Sequence, residues 1–253
     1  MTTPKGFADI CALLFKKYAV SFDEKQVQKR AGLLSQKQTA VTKNTFSFYS
    51  SVASVYSSKI EGEPVELDSF IKHKFLSIAY VADYTKRPDD LYEAYSFARD
   101  NALNGKNLLQ AHSIITKHLL TKDKRGKIRT KQMFIMSKNS QIEYVTADAA
   151  VIKADFQKLV NDLKGLAENK LSLAEIFFYA SMMHLLFVKI HPMYDGNGRT
   201  ARLFEKWFLA HFLGESAWHI ESERYYYENL QTYYGCLKRL GNDYASLDYS
   251  KAL

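Results

Sequence analysis

The sequence predicts a mainly α protein: a helical bundle that carries one short β-hairpin. Three observations lead there. Only four prolines and eleven glycines stand among 253 residues rich in Leu, Ala, Lys, Glu and Phe, a composition that favours helix over turn-rich β architecture. Apolar residues recur at helical spacing along most of the chain. One segment alone, Ile128 to Val145, alternates apolar and polar residues around a Ser137-Lys138-Asn139-Ser140 turn, the pattern of a hairpin.

Taken in order, Phe7 to Leu34 reads as two helices, with Asp23 placed to cap the second. Asn44 or Thr45 opens the next helix, which runs through Phe48, Val52, Val55 and Ile60 and stops at Gly62 with Pro64 just beyond. Further helices are expected at Leu67–Ala82, Asp89–Leu103, Leu108–Leu120, Ala149–Leu166, Leu173–Lys189, Gly198–Leu213 and Arg224–Leu240. The hairpin is too small to stand alone and must pack on helices or gain another strand. Leu173–Lys189 is apolar on nearly every face, so it belongs at the centre of the bundle.

No repeat, low-complexity tract or Gly/Ser-rich linker divides the chain. It reads as an N-terminal helical subregion over 1–44 and a larger domain over 45–253. The start lacks a basic stretch followed by an apolar one, and no segment approaches the ~20 apolar residues of a bilayer span. These observations suggest a cytoplasmic protein with no membrane partner. Cys11 and Cys236 match no metal spacing and lie in apolar-periodic segments, where core packing is expected. The formal charge of +8 and pI of 9.2 suit a phosphate-bearing partner, either a nucleotide or a nucleic acid.

The stretch with chemical content is Ile190-His191-Pro192-Met193-Tyr194-Asp195-Gly196-Asn197-Gly198-Arg199-Thr200-Ala201-Arg202. Pro192 ends the central helix, and a new amphipathic helix begins near Gly198. A Gly-x-Gly loop entering a helix N-terminus forms a concave anion site from backbone N–H groups. Arg199 and Arg202, at i and i+3, can both reach that anion, which suggests a polyphosphate. Asp195 can hold a Mg²⁺ that bridges phosphate oxygens, and His191 can accept a proton from an attacking hydroxyl near neutral pH. Singly, each residue has an ordinary explanation as a cap, turn former or solvated charge. Crowded into a dozen residues, they point to a site.

This stretch resembles the Fic-domain signature, His-x-Phe-x-Asp/Glu-Gly-Asn-Gly-Arg-x-x-Arg, at His191, Asp195, Gly196, Asn197, Gly198, Arg199 and Arg202; Met193 stands where the family usually has Phe. The resemblance implies a Fic-type helical bundle with a flap and a protein adenylyltransferase. In such an enzyme AMP passes from Mg·ATP to a protein Ser, Thr or Tyr hydroxyl with release of pyrophosphate. It implies His191 as general base, Asp195 as the Mg²⁺ ligand, and Gly196, Asn197 and Gly198 as the cradle of the α- and β-phosphates. Arg199 would neutralise the leaving diphosphate and Arg202 would clamp the γ-phosphate.

Three more stretches resemble family features. Ile135, Met136, Ser137 and Lys138 occupy the place of the flap, which holds a target protein by strand addition; Thr146-Ala147-Asp148 replace the prolines that often follow it. Tyr226 and Tyr227 resemble the tyrosines that help line the nucleotide pocket. Ser57-Ser58-Lys59-Ile60-Glu61-Gly62 resembles the inhibitory signature Ser/Thr-x-x-x-Glu-Gly/Asn, with Ser57 and Glu61 on one helical face and Gly62 ending the helix. By this resemblance about 45–62 is an inhibitory helix in which Glu61 restrains the enzyme.

Relatives transfer other nucleotides or phosphate, and some with the inhibitory Glu also remove AMP. Arg199 counts against the phosphorylating branch, which usually has Lys there. The alternative outside enzymology is a basic nucleic-acid-binding module built on Lys122-Asp123-Lys124-Arg125-Gly126-Lys127. That run has no interleaved aromatics for base stacking, so no nucleic-acid partner is expected. A homo-oligomer is compatible with the sequence.

Overall fold

A computed structural model of the chain describes residues 43–78, 82–137 and 139–251. The helices expected before Lys43, Cys11 and Lys138 lie outside the described residues. Among the described residues the elements run α1 (Lys43–Ile60), α2 (Leu67–Leu76), α3 (Ala82–Asp100), α4 (Gly105–Ile115), β1 (Phe134–Met136), β2 (Ile142–Val145), α5 (Ile152–Ala167), α6 (Leu173–Ile190), α7 (Asn197–Leu213), α8 (Ser222–Glu228) and α9 (Leu230–Lys238). The mainly α class and the single hairpin agree with the sequence reading.

α6 is the axis. Ser172 caps it through the Glu175 backbone N–H, and the Glu175 carboxylate returns to the Ser172 backbone, closing a capping box. Its residues Phe178, Tyr179, Met182, Met183, Leu186 and Phe187 pack with Phe156, Leu159 and Leu163 of α5 and with Phe204 and Phe208 of α7. By length and composition α6 is the one described helix able to cross a membrane, but 67% of it is buried inside the protein. Its apolarity on all sides is that of a core helix.

A second core joins α1, α3, α4 and α7 through Phe46, Ala53, Leu91, Tyr95, Ile115, Leu203 and Trp207. α1 enters this core with a face of small polar residues: Ser50, Ser51, Ser54, Ser57 and Ser58 are all buried. The Ser51 and Ser54 hydroxyls donate to the carbonyls of Ser47 and Ser50 one turn back, at 2.8 and 2.7 Å. Those two hydroxyls are thereby paired, whereas Ser58 Oγ is buried with no partner among the described residues, and the small size of these side chains lets neighbouring helices approach closely. α1 stops where expected, since Gly62 takes φ +83° and turns the chain away.

The hairpin pairs Phe134 with Val145 and Ile135 with Tyr144, with an irregularity before Met136. It is anchored as its size demands. The Val145 N–H donates to the Asn242 carbonyl at 2.9 Å, and the Tyr144 hydroxyl donates to the Lys189 carbonyl at 2.8 Å. Thr146 donates its hydroxyl to the Met133 carbonyl at 2.6 Å, closing the base of the hairpin where relatives often carry proline.

Several expectations need correction. α2 ends at Leu76, not near Ala82, because Ser77 takes the left-handed conformation at φ 53° and its N–H caps the Lys72 carbonyl. The helix expected over Arg224–Leu240 is two, separated at Asn229 with φ −119° and ψ 41°. Cys236 is exposed rather than in a core.

Candidate active site

The loop between α6 and α7 is shaped by two left-handed residues. His191 caps α6 at φ 53° and ψ 58°, and Gly196 precedes α7 at φ 73°. A side chain at Gly196 would meet the Thr116 methyl at 2.7 Å, so the position needs glycine for space as well as conformation. Asn197 is buried and spends its side chain inside the loop: Oδ1 accepts from the Met193 N–H at 2.9 Å and Nδ2 donates to the Met193 carbonyl at 3.0 Å. Its side chain is thus a clamp on the loop, which leaves only its backbone to face an anion. Met193 is fully buried in the main core, as its place in the signature implies.

Arg129 supports the loop from the other side. It is buried, with no carboxylate bonded to it among the described residues. Nε donates to the His191 carbonyl at 2.7 Å, Nη1 to the Lys131 carbonyl at 2.6 Å, and Nη2 to Thr146 Oγ1 and the Ala147 carbonyl at 2.8 and 2.6 Å. The backbone joins in, with the Arg129 N–H on the Pro192 carbonyl at 2.9 Å and an antiparallel bridge between Ile128 and Met193. One guanidinium therefore ties the His191–Arg202 loop to both ends of the hairpin.

His191, Gly198, Arg202, Glu61 and Ile135 line one cavity of about 320 Å³, together with Tyr144, Lys189, Tyr233, Tyr234 and Asn242. The His191 imidazole has a pKa lowered to about 4, chiefly by burial and next by the Arg129 charge, against smaller opposing effects of Asp195 and Glu61. It is neutral at physiological pH and able to accept a proton. Its Nδ1 is buried without a hydrogen bond of ordinary geometry, although the Val188 carbonyl is near enough to favour the protonated ring.

Both arginines of the signature already hold carboxylates. Arg202 is fully buried; its Nη2 donates to Glu61 Oε1 at 2.6 Å and to the Ser57 carbonyl at 3.0 Å, and its Nε donates to Ser57 Oγ at 2.8 Å. Burial pushes the Glu61 carboxyl up, but Arg202 and Arg199 outweigh it and hold its pKa below the ordinary value. Arg199 Nη2 donates to Glu63, a residue to which the sequence drew no attention. Arg199 Nε is buried without a partner, and Gly198 stands so close to Glu61 that an added Cβ would lie 2.5 Å from Oε1. The Tyr234 hydroxyl fixes the end of α1 by donating to the Ile60 carbonyl at 3.2 Å.

Behind Arg202 runs a buried chain of side chains. Arg202 Nη1 donates to the Tyr233 oxygen at 3.3 Å, Tyr233 meets His184 Nε2 at 3.0 Å, His184 Nδ1 meets Glu205, and the Tyr226 hydroxyl donates to Glu205 at 2.7 Å. Each member is partnered, and the chain ends on the Glu205 carboxylate, which accepts from the Tyr226 hydroxyl. Tyr226 stacks on Tyr233 with centroids 4.8 Å apart, and Tyr227 packs on Tyr56 at 5.6 Å. Neither lines the cavity where the resemblance placed them. Tyr233 and Tyr234 do, and the break at Asn229 accounts for the exchange by turning the second half of the expected helix.

Asp195 is exposed, and its Oδ1 accepts from the Gly196 N–H at 2.6 Å. Its carbonyl is held by His112 Nε2 at 2.8 Å, while His112 Nδ1 accepts from the Gly126 N–H at 2.9 Å. Among the described residues no three His, Cys, Asp or Glu side chains gather to cage a metal. A single exposed carboxylate beside an anion loop suits Mg²⁺, which binds through one or two carboxylates and completes its shell from substrate phosphates and water. Ile135 is the flap residue on the cavity; Phe134, Met136 and Ile142 are exposed.

Comparison with known proteins agrees with this geometry. The family model described as Fic/DOC family matches residues 102–209, which take in α4, the hairpin, α5, α6, the His191–Arg202 loop and most of α7. A crystal structure of a Fic family protein from Desulfovibrio desulfuricans is similar with a TM-score of 0.69 at 18% identity, covering 94% of this chain and 66% of that one. A Fic domain containing signaling protein from Bacteroides thetaiotaomicron follows at 0.62 and 15%, covering 96% and 88%. Fic-1 from C. elegans gives 0.61 and 15%, covering 83% and 62%. The chain thus spans slightly less than two thirds of the first and third of these. No curated protein matches it. Residues 102–209, which carry the signature loop, the hairpin and the bundle around α6, match the Fic/DOC family, and the fold is that of Fic-domain proteins.

Proposed function

We propose that this chain is a protein adenylyltransferase that moves AMP from Mg·ATP onto a protein hydroxyl and that Glu61 restrains it. The observation that carries the reading is the common cavity of His191, Gly198, Arg202 and Ile135, which brings a neutral imidazole, an anion loop and the flap together.

In this reading the triphosphate lies over the Gly196–Gly198 backbone, with Arg199 and Arg202 toward its β- and γ-phosphates. The unpartnered Nε of Arg199 is a donor still open to a phosphate oxygen. Asp195 would hold Mg²⁺, which when bound supplies charge for the phosphate oxygens. His191 takes the proton of the target hydroxyl, whose oxygen attacks the α-phosphorus. The bond from that phosphorus to the bridging oxygen breaks, and pyrophosphate leaves. Arg129 contributes by fixing the His191 carbonyl, and with it the base, relative to the flap.

Glu61 opposes this on the same donor. Its carboxylate occupies Arg202 Nη2 and lies against Gly198, placing negative charge where phosphate oxygens must sit. A triphosphate displaced by ~1 Å loses on the order of 10²-fold in rate. The test is transfer of label from α-labelled ATP to protein by the parent, Glu61→Gly and Glu61→Gly/His191→Ala. Transfer that rises in the second and vanishes in the third supports the reading. Equal rates in the first two would remove the restraint, and unchanged transfer in the third would remove His191 as base.

A further inference from the structure

We propose that Lys124, Lys127 and Lys131, on the run that pairs with the His191–Arg202 loop at Pro192 and Met193, dock an acidic segment of the protein that carries the acceptor hydroxyl. The inference rests on the transferase reading for the identity of that segment as an acceptor, but the docking itself needs no nucleotide.

Placement is the first argument. The chain from Lys122 to Lys131 bears Lys122, Lys124, Arg125, Lys127 and Lys131 against one acid, Asp123, apart from the buried Arg129. This run is fastened to the catalytic loop by the Ile128–Met193 bridge and by the Arg129 N–H on the Pro192 carbonyl. Lys127 and Lys131 therefore flank the very residues that pair with the loop. Lys124 Nζ lies 5.6 Å from the centroid of the Tyr194 ring, and Tyr194 accepts from the Thr130 N–H at 3.1 Å. Lys131 precedes the first residue of β1 by three positions, about 10 Å of extended chain. A segment laid along β1 and continued beyond Phe134 would thus meet Lys131 first and then the rest of the run.

Charge is the second argument. Lys124, Lys127 and Lys131 are exposed and none is ion-paired among the described residues, whereas Lys59, Lys72, Lys74, Lys117 and Lys238 each meet a carboxylate. Like charges concentrated beside a cleft draw an oppositely charged partner and set its register more than they add raw affinity. A nucleic acid is the less suited partner. Single-stranded binding uses aromatic platforms, and the one aromatic in this patch, Tyr194, is covered by Lys124.

The test is fluorescence anisotropy with the full chain and two labelled peptides, one with a serine between glutamates and one with the serine between lysines. The glutamate peptide should bind at least about tenfold more tightly, and the difference should shrink as salt is raised. Lys124→Glu/Lys127→Glu/Lys131→Glu should abolish the preference. A control with Lys153→Glu/Lys164→Glu/Lys170→Glu, equal in charge change and remote in sequence, should keep it. Equal loss in both variants, or none in the first, would overturn the proposal. So would an RNA oligomer that binds more tightly than the glutamate peptide through the same three lysines. Failure of AMP transfer with peptide docking intact would strike the reading of the reaction and leave the surface standing.

Discussion

The Glu63 carboxylate is hydrogen-bonded to the Arg199 guanidinium, two residues beyond the carboxylate that holds Arg202. Glu63 also lies 3.4 Å from Arg87, so it is held from two sides, and its side chain is only 11% exposed. Both arginines of the signature are thereby covered by carboxylates just beyond the end of one helix. Glu63→Ala should raise AMP transfer about tenfold in a Glu61→Gly background, because Arg199 is then free of its competitor. Initial rates of the two single variants and the double variant check this. A double variant no faster than Glu61→Gly would mean that Glu63 only fastens the turn.

The pH dependence of the reaction follows from the lowered pKa of His191. With its pKa at about 4, the ring stays neutral as pH falls from 8 through 6, so the base remains competent well below the ordinary imidazole range. The acidic limb of kcat/KM should therefore fall no higher than about pH 4 in the Glu61→Gly enzyme, since that substitution removes one of the charges that raise the ring's pKa. The same shift has a stability sign. The unfolded chain takes up a proton near pH 6.5 and the folded one resists until about 4, so stability present above pH 6.5 is lost as pH falls through that window. A limb centred near 6.5 would show that the ring is not shielded as described.

Arg129 should act on rate through position. Arg129→Lys keeps the charge but loses the fork that holds the His191, Lys131 and Ala147 carbonyls together. Transfer should drop on the order of 10²-fold in kcat, with KM for ATP changed little, since Arg129 does not line the cavity. A proportionate rise in KM with kcat intact would instead tie Arg129 to nucleotide binding.

Stability depends on a pair far from the loop. Lys206 and Glu223 form an ion pair with both side chains almost wholly enclosed, at 1% and 0% exposure, and the Tyr95 hydroxyl donates to the same carboxylate. Glu223→Ala leaves an ammonium buried without its partner and should cost about 3–5 kcal/mol in chemical denaturation. Lys206→Met/Glu223→Leu removes both charges and should recover most of that loss.

What the sequence made legible was local. Gly62 and Pro64 marked the end of α1, the alternation around Ser137 to Ser140 marked the hairpin, and the all-round apolarity of Leu173–Lys189 marked the central helix. The residues that escaped reading act across long separations. Glu63 reaches Arg199 over 136 positions, Tyr95 reaches Glu223 over 128, and Arg129 reaches the His191 carbonyl over 62. No periodicity or spacing records such pairs. Tyr226 and Tyr227 do not line the cavity of His191, whereas Tyr233 and Tyr234 do. The break at Asn229 comes from backbone geometry in a stretch, Tyr225 to Tyr234, whose residues suit an unbroken helix.

The central claim is that this chain transfers the adenylyl group of ATP with His191 as base. Its most direct test is the Glu61→Gly variant incubated with Mg²⁺ and ATP labelled either at the α- or at the γ-phosphate, followed by detection of label bound to protein. The account predicts protein-bound label from the α position only, and none from either position when His191→Ala is added. Label arriving from the γ position, or α label that survives His191→Ala, would contradict it.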